Sequence, residues 1–365
     1  MHENKMKRKS KVVKVGDIPI GGGQVPVVQG MVKKDPIDVE STLEEIKNLR
    51  QAGAKIIRLA VPNVKAAKKI SLIRERTDIP LVADIHFNYR LALEAIDRGI
   101  NKVRINPGNL SPKEILMVAE KAKKTGIPLR IGINSGSLPR DILEKISKFR
   151  NNREKKTKLM AESMVELALN CINSLEKEGF EDIIVSLKSS DIPVTIMANK
   201  IIADKMSYPL HLGITATGPL PQGVIKSAIG LGSLLSEGIG DTIRVSLTSD
   251  SVQEVKLAYE ILKYLELVPH GPTLITCPTC GRCKGDVLSI AQKLLSKIDK
   301  INSPIKIAVM GCEVNGPGEA MEADIGIACT KKGGILFKKG KLLNRIKEEE
   351  LVDTLMREIH LMQQD

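Results

Sequence analysis

Tryptophan is absent from this chain and aromatic residues make up only 2% of it, so its core must be built from aliphatic side chains. Hydrophobic residues still form 42% of the 365 residues, which is enough for one large domain and a smaller second one. The scarcity of aromatic side chains also argues against nucleic acid as a partner, because such binding relies on stacking with bases. We therefore interpret the net charge of +13 as a solvated basic surface, with an anionic substrate or an acidic redox partner as the alternative.

Long hydrophobic runs are also missing. Residues 1–14 contain no apolar segment of the kind found in secretory signal peptides, and no later run is long enough to cross a membrane. We expect a soluble cytoplasmic protein with no membrane partner. Cytoplasmic thiols stay reduced, so the six cysteines are not expected to form structural disulfides.

A repeated pattern of β-branched run, loop and amphipathic helix organises residues 25–265. The predicted strands cover residues 25–30, 55–61, 80–84, 102–105, 128–133, 182–187, 209–214 and 242–247. Helical stretches follow the strands, for example at residues 40–52, 113–124, 159–177 and 251–265. Eight strand–helix units in this length are typical of an α/β fold of the (β/α)8 TIM-type barrel class. An open doubly wound sheet is the alternative.

The pattern changes at both ends of this region. Residues 12–15 and 18–20 predict a short hairpin before the barrel. Beyond a linker near residues 268–272, short strands at 305–310 and 324–328 alternate with helices near 285–297 and 348–362. We therefore assign residues 1–267 to a substrate-binding barrel with an N-terminal hairpin, and residues 268–365 to a smaller α+β domain.

Polar residues recur at the carboxyl ends of the predicted strands, where a barrel carries its active site and alternate residues point inward. These residues are Arg58, Asp84, His86, Arg104, Asn106, Arg130, Asn134, Ser186, Lys188, His211, Arg244 and Ser246. The arginines and Lys188 would form a positive mouth suited to phosphate, since guanidinium forks bind phosphate oxygens in pairs. Asp84 and His86 are candidates for hydroxyl binding or proton delivery.

Three cysteines and one glutamate stand out in the smaller domain. Cys277 and Cys280 form a Cys-x-x-Cys pair, Cys312 lies in a segment rich in Gly and Pro, and Glu319 offers an oxygen beyond it. Such thiolates suit an iron–sulfur cluster, and three of them leave one iron open for chemistry. A structural zinc site, which usually has four N or S ligands, and reactive or buried thiols are the alternatives.

Several of these segments together resemble the bacterial 4-hydroxy-3-methylbut-2-enyl diphosphate synthases. The segments are VADIHF (82–87), VRINPGN (103–109), LGSLLSEGIGD (231–241), CPTC (277–280) and CEVNGPGE (312–319). The likeness extends from about residue 12 to about residue 329, which is nearly the whole chain. The two cysteine motifs in combination are highly specific.

The resemblance implies a [4Fe–4S] reductase of the methylerythritol phosphate route to isoprenoids. Its substrate would be 2-C-methyl-D-erythritol 2,4-cyclodiphosphate, and flavodoxin or ferredoxin would deliver two electrons. Cys277, Cys280, Cys312 and Glu319 would hold the cluster, and the barrel mouth would hold the diphosphate. Glu319 is predicted to be the exchangeable ligand of the fourth iron, because a carboxylate is a harder and weaker partner for iron than thiolate.

Two departures from the family pattern accompany the resemblance. Cys283 adds a third cysteine to the Cys-x-x-Cys run, and we predict that it is not a cluster ligand. Ala216 stands where many relatives carry Glu, so Glu237 is considered as a catalytic carboxylate instead, with a helix-end surface position as the alternative. Cys171 and Cys329 are interpreted as buried thiols.

A homodimer with cross-subunit active sites is expected from chain direction. The helix at residues 251–265 must run from the active-site face to the opposite face, which at about 1.5 Å per residue is roughly 20 Å. Each second domain would then serve the partner's barrel. Two rival functions are a non-redox cluster hydratase, which would need no electron donor, and a basic zinc-domain protein that binds RNA.

Overall fold

A computed structural model describes residues 7–269, 271–298, 301, 303–312 and 322–363 of the chain. The chain divides into two compact units, Met1–Val268 and Pro269–Asp365. Among the described residues, no helix is both long enough and apolar enough to span a membrane.

The first unit begins with an antiparallel hairpin and continues as a barrel of parallel strands. The hairpin strands are β1 (Val13–Val15) and β2 (Ile18–Ile20). The barrel strands are β3 (Val27–Met31), β4 (Ile56–Ala60), β5 (Leu81–Asp84), β6 (Lys102–Ile105), β7 (Leu129–Asn134), β8 (Ile183–Lys188), β9 (His211–Leu212) and β10 (Thr242–Ile243). Their spatial order is β8-β7-β6-β5-β4-β3-β10-β9, and a parallel bridge between Val185 and Leu210 joins the two ends. The barrel prediction is therefore confirmed, and the open sheet is excluded.

Every barrel strand is followed by helical chain that returns to the start of the next. The helices are α1 (Val39–Gln51), α2 (Val64–Arg74), α3 (Tyr89–Asp97), α4 (Pro112–Thr125), α5 (Arg140–Ser147), α6 (Arg153–Lys177), α7 (Ile192–Lys205), α8 (Gln222–Leu235) and α9 (Ser251–Tyr264). Helix α4 shows how the local sequence sets the bounds. Ser111 caps the amino end and forms a capping box with Glu114, and Pro112 stands between them in the first turn. At the other end, Gly126 terminates the helix with a φ of 67°.

Successive side chains along each barrel strand point alternately to the helices outside the barrel and to its interior. In β4, Ile57 and Leu59 join the large apolar core between strands and helices, whereas Ile56 faces the barrel interior. The hairpin seals one end of that interior: Val13, Val15 and Ile20 pack against inward residues of the barrel strands.

The turn of the β1–β2 hairpin, at Gly16, lies against Pro80 and Asn101, which precede β5 and β6. The end of the barrel that the hairpin seals is therefore the amino end of the strands. Above this apolar floor the interior becomes polar, and the opposite, carboxyl end carries the site.

The second unit is an α+β structure with one mixed sheet of order β11-β12-β13-β14-β15. Among its described residues, the strands are β11 (Thr273–Thr276), β12 (Lys306–Met310), β13 (Ile325–Thr330), β14 (Gly333–Lys338) and β15 (Lys341–Ile346), and the helices are α10 (Val287–Ile298) and α11 (Leu351–Met362). The first three strands are parallel, and the last two pairings are antiparallel. A compact apolar core that includes Leu294, Ile307 and Leu355 holds the helices to the sheet.

Candidate active site

The carboxyl ends of β4, β5 and β6 bring an arginine-bound carboxylate to the open end of the barrel. Asp84 lies 3.2 Å from Nη1 of Arg104 and 3.8 Å from Nε of Arg58. Nε2 of His86 lies 3.4 Å from the same carboxylate and 3.1 Å from Nη1 of Arg104. Asp84 is buried and His86 is exposed, so the group runs from the interior to the solvent.

Asp84 is held in its ionised form. Burial by itself would raise the pKa of this carboxyl group, but the charge of Arg58, a hydrogen bond from His86 and the charges of Arg104 and Arg130 outweigh it. The pKa of Asp84 therefore lies well below the usual carboxylate range. At neutral pH it is a permanent anion that orients two arginines.

A deeper layer of cations lies below this group. Arg130, Lys102 and Lys188 are almost fully buried. Burial, and then repulsion by neighbouring guanidinium groups, lowers the pKa of all three well below their usual values. Within the described residues, Nζ of Lys102 and Nε and Nη1 of Arg130 have no hydrogen-bond partner. Buried donors need hydrogen-bond acceptors, so these groups make the chamber suited to an anionic ligand.

Two further polar residues face the same chamber. His211 is fully buried; its Nδ1 lies 3.4 Å from the Thr242 hydroxyl, and its Nε2 has no partner among the described residues. Burial, followed by the nearby charges of Lys188 and Arg130, lowers the pKa of His211 well below its usual value, so the ring is neutral. Gln29 is 1% exposed, and both atoms of its amide lack partners in the described structure.

Two glycines make room for the long cationic side chains. A Cβ on Gly132 would lie 2.5 Å from Nε of Arg104 and 3.1 Å from Oγ of Ser186. A Cβ on Gly213 would lie 2.6 Å from Nζ of Lys188. Arg104 also donates to the Gly132 carbonyl at 2.9 Å. A larger residue at either glycine would displace a cation from the chamber.

Glu254 anchors the remaining arginine of the chamber. It lies in the first turn of α9, is 3% exposed, and accepts a hydrogen bond from Nη2 of Arg244 at 3.1 Å. The same carboxylate accepts the Leu247 backbone N–H at 2.8 Å and lies 3.0 Å from Nζ of Lys33. Burial is the main cause that lowers the pKa of Arg244 to about 10, so the guanidinium stays charged at neutral pH.

The second unit places cysteine sulfurs around the end of β12. The Gly311 backbone N–H donates to Sγ of Cys277 at 3.1 Å, and Cys312 is buried directly after it. Cys280 is exposed. A Cβ on Gly311 would lie 3.0 Å from Sγ of Cys277, so only glycine fits among the sulfurs. A backbone N–H that donates to a thiol sulfur, with further cysteines close by, is an arrangement that fits an iron–sulfur cluster.

Comparison with known proteins decides the family. The family model described as the GcpE TIM-barrel domain matches residues 10–259, and the model described as the GcpE protein C-terminal domain matches residues 273–361. The chain belongs to the GcpE family. The family resemblance predicted from the sequence is thereby confirmed.

Curated relatives of this GcpE-family chain carry the name 4-hydroxy-3-methylbut-2-en-1-yl diphosphate synthase (flavodoxin). The protein of Caldanaerobacter subterraneus subsp. tengcongensis is 50% identical over 98% of each chain. That of Clostridium acetobutylicum is 50% identical and covers 97% of this chain and 99% of its own. That of Thermodesulfovibrio yellowstonii is 49% identical with the same two shares.

Not every residue singled out from the sequence lies in the chamber. Glu237 follows α8 at the amino end of the barrel, is exposed, and pairs with Lys200 at 2.5 Å. Its prediction as a catalytic carboxylate is wrong, because α8 carries it away from the carboxyl ends of the strands. Ala216, with a φ of 50°, brings no carboxylate in its place. Glu319 lies outside the described residues.

Three other predicted residues lie in the loops at the rim. Oδ1 of Asn106 accepts the Gly108 N–H at 3.0 Å and the Ser137 hydroxyl at 3.4 Å, which ties two loops together. Asn134 ends β7 and is half-buried. The Ser246 carbonyl accepts a hydrogen bond from Thr217. Their roles toward a substrate stay predictions.

Three residues of the chamber were not identified from the sequence: Lys102, Gln29 and Glu254. Lys102 is two residues before Arg104 and Gln29 is two after Val27, so the alternation rule could have found both on inward positions. Glu254 carried no such signal, because an acidic residue in the first turn of a helix is ordinarily a surface feature.

Proposed function

We propose that this GcpE-family chain is a 4-hydroxy-3-methylbut-2-enyl diphosphate synthase. It would open the ring of 2-C-methyl-D-erythritol 2,4-cyclodiphosphate with two electrons and loss of water, to give (E)-4-hydroxy-3-methylbut-2-enyl diphosphate. The step belongs to the methylerythritol phosphate pathway of isoprenoid biosynthesis. The names of the relatives and the buried cationic chamber support this assignment together. The RNA-binding alternative gains no support from either.

The buried chamber is the observation that carries the proposal. Its cations outnumber the two carboxylates, Asp84 and Glu254, that compensate them. Donors on Arg130 and Lys102 stay unpaired. A cyclic diphosphate brings the missing negative charge and enough oxygen acceptors to pair with these donors. Once the substrate is bound, the same cations stabilise the charge that develops on the diphosphate as the ring opens.

The residues at the open end are suited to managing protons. Asp84 stays ionised and holds Arg104 and His86 in place, so it would orient the substrate rather than donate a proton. His86 is exposed and contacts both Asp84 and Arg104, a position from which a ring nitrogen can pass a proton from solvent. His211 is neutral and buried, which suits a hydrogen bond to a hydroxyl or phosphate oxygen.

The second unit would hold a [4Fe–4S] cluster through Cys277, Cys280, Cys312 and Glu319. When bound, such a cluster supplies single electrons and an iron site that can accept a substrate oxygen. The amide of Gly311 would then stabilise the thiolate of Cys277. We further propose residues 1–267 as the substrate-binding part, residues 268–365 as the cluster-binding part, and the cytoplasm as the compartment. Flavodoxin is the proposed electron donor, in line with the relatives' names, and ferredoxin is the alternative.

The proposed assembly is a homodimer with cross-subunit active sites. The direction of α9 supports it: Glu254 in its first turn contacts Arg244 near the open end, whereas the Tyr259 hydroxyl donates to the carbonyl of Gly53, which precedes β4. The chain thus leaves the barrel at the end opposite the chamber mouth. A Cys312→Ser chain mixed with an Arg104→Met chain should regain activity in heterodimers. No recovery after demonstrated subunit exchange would contradict this assembly.

The function is tested by anaerobic turnover. Protein loaded with iron and sulfide should convert the cyclodiphosphate with reduced flavodoxin, and omission of the donor should abolish conversion, which excludes a hydratase. Arg130→Met should weaken the binding of inorganic pyrophosphate at least tenfold by calorimetry. The matched control is Arg76→Met, which removes an exposed arginine paired with Glu40 and should change nothing. Failure of turnover with a fully loaded cluster would overturn the assignment.

A further inference from the structure

Cys283 is a cysteine that the proposed function does not use. Its backbone N–H donates to the Cys280 carbonyl at 2.9 Å, which closes a turn and brings residue 283 back toward the sheet. Its side chain is half-buried, and its Sγ lies 3.1 Å from the carbonyl oxygen of Gly285. The turn places this thiol beside the thiol of a proposed cluster ligand.

The sulfurs of Cys277 and Cys283 are neighbours across Gly311. A Cβ built on Gly311 would lie 2.5 Å from Sγ of Cys283 and 3.0 Å from Sγ of Cys277, so the two sulfurs lie no farther apart than these distances together. Both segments are tied to the same strand end, since the Cys277 N–H donates to the Val309 carbonyl at 3.3 Å and the Lys284 N–H donates to the Gly311 carbonyl at 2.7 Å. An S–S bond of about 2 Å therefore requires the two sulfurs to approach each other by no more than about 3.5 Å.

The other cysteines of this unit are placed differently. Cys280 is exposed, although its spacing from Cys277 is the usual one for a redox pair. Cys329 is fully buried, with its sulfur against Gly285. Cys312 is buried after Gly311. Among the described cysteines, Cys283 therefore combines access to solvent with an inward position next to Cys277.

We propose that Cys277 and Cys283 form an oxidative modification site, in which a disulfide closes when the cluster has been lost and a peroxide is present. One thiolate attacks the peroxide to give a sulfenic acid and one water, and the second thiol displaces a second water as the S–S bond forms. The two thiols together lose two electrons and two protons, and hydrogen peroxide is reduced to two waters. The disulfide keeps Cys277 from irreversible oxidation, and a dithiol reductant returns it for cluster assembly.

The sequence allows the link to be mapped directly. Trypsin cleaves after Arg282 and Lys284, so it separates Cys283 from the peptide 264–282 that contains Cys277 and Cys280. The full chain, freed of iron by a chelator and treated with hydrogen peroxide, should yield peptide 264–282 joined to the dipeptide 283–284. Cys280→Ser should keep this joined product, and Cys277→Ser should lose it. Cys329→Ser is the matched control and should leave it unchanged.

Three outcomes would overturn the proposal. They are a disulfide within peptide 264–282, a joined product that disappears in Cys280→Ser, and sulfinic acid at Cys277 with no joined product.

A second measurement addresses protection. Wild-type protein exposed to peroxide should recover its iron content after dithiol treatment and reconstitution, whereas Cys283→Ser should lose at least half of that recovery. Before any oxidation, both should bind the same amount of iron. If Cys283→Ser binds less, Cys283 is a cluster ligand and the proposal fails. The identity of Cys277 as a ligand rests on the proposed function, but the peptide map does not. A chain that forms the link and does not turn over would refute the function alone.

Discussion

Glu254→Gln tests whether the chamber depends on a buried counter-ion at the start of α9. The carboxylate of Glu254 contacts Nη2 of Arg244 at 3.1 Å, the Leu247 backbone N–H at 2.8 Å and Nζ of Lys33 at 3.0 Å. Glutamine keeps one oxygen, which can still accept the Leu247 N–H, but it turns an amide N–H₂ toward the guanidinium. Arg244 is then buried without its carboxylate partner, and its pKa falls further, because Glu254 is one of the groups that raise it.

The cost follows from the burial of the pair. Loss of one partner of a buried ion pair costs about 3–5 kcal/mol, and a hydrogen bond to a charged group contributes about 1.5–3 kcal/mol. We take the lower end, about 3 kcal/mol, because Asp84 also attracts Arg244 and the Leu247 bond is retained. For a unit of this size each kcal/mol lowers the melting temperature by about 2–4 °C, so a fall of roughly 6–12 °C is expected.

Thermal melts of the unloaded protein at low and moderate salt measure this effect. Glu237→Gln is the matched control, because its ion pair with Lys200 is exposed and contributes less than about 1 kcal/mol. The double variant Glu254→Gln/Arg244→Met should recover part of the loss, since removing both charges is less costly than stranding one. Equal melting temperatures for the Glu254 and Glu237 variants would refute the reasoning, as would a double variant less stable than either single one.

Four further predictions concern single residues. Arg104→Met should lower kcat/KM for the cyclodiphosphate at least tenfold with iron content unchanged, because a charge-assisted pair contributes about 1.5–3 kcal/mol; wild-type kinetics would remove Arg104 from the site. Lys102→Met should raise the melting temperature and weaken pyrophosphate binding in calorimetry, since it removes a fully buried amino group that has no hydrogen-bond partner among the described residues; a lower melting temperature would contradict this. His211 has a lowered pKa when folded, so the unfolded chain binds the extra proton and stability should fall as pH drops below about 6.5; urea melts of His211→Gln should show a flatter pH dependence, and an unchanged slope would refute it. Glu319→Cys should keep a full cluster by iron analysis and block turnover, because a fourth thiolate would not leave; wild-type turnover with unaltered iron spectra would show that Glu319 is not the labile ligand.

Local pattern predicted most of the barrel because each strand must alternate and each helix must follow the 3.6-residue period. The segment from Lys102 to Ile105 was predicted with its observed bounds, and the helix from Ser251 to Tyr264 was predicted one residue too long. The hairpin β14–β15 was not singled out. Its two strands pair along one edge of the sheet.

The site was only partly predictable for a different reason. The position of Arg104, Arg130 and Asp84 at one end of the barrel could be predicted, because the carboxyl ends of parallel strands always meet at one face. The prediction for Glu237 failed because the position of this residue depends on where α8 ends. The sequence motif around Glu237 does not reveal that end. Glu254 was missed because its burial depends on how closely α9 packs against the barrel.

The sequence by itself determined the order of strands and helices, the cysteine spacing and the family, since these depend on residues close together in the chain or on motifs read as strings. Only the tertiary structure decided that Lys102, Gln29 and His211 share one buried chamber, and that Cys283 lies beside Cys277. The burial of a side chain and the identity of its hydrogen-bond or ion-pair partners are properties of the closed barrel and the folded sheet. They arise when distant segments exclude water from the same space, and no local pattern carries that information.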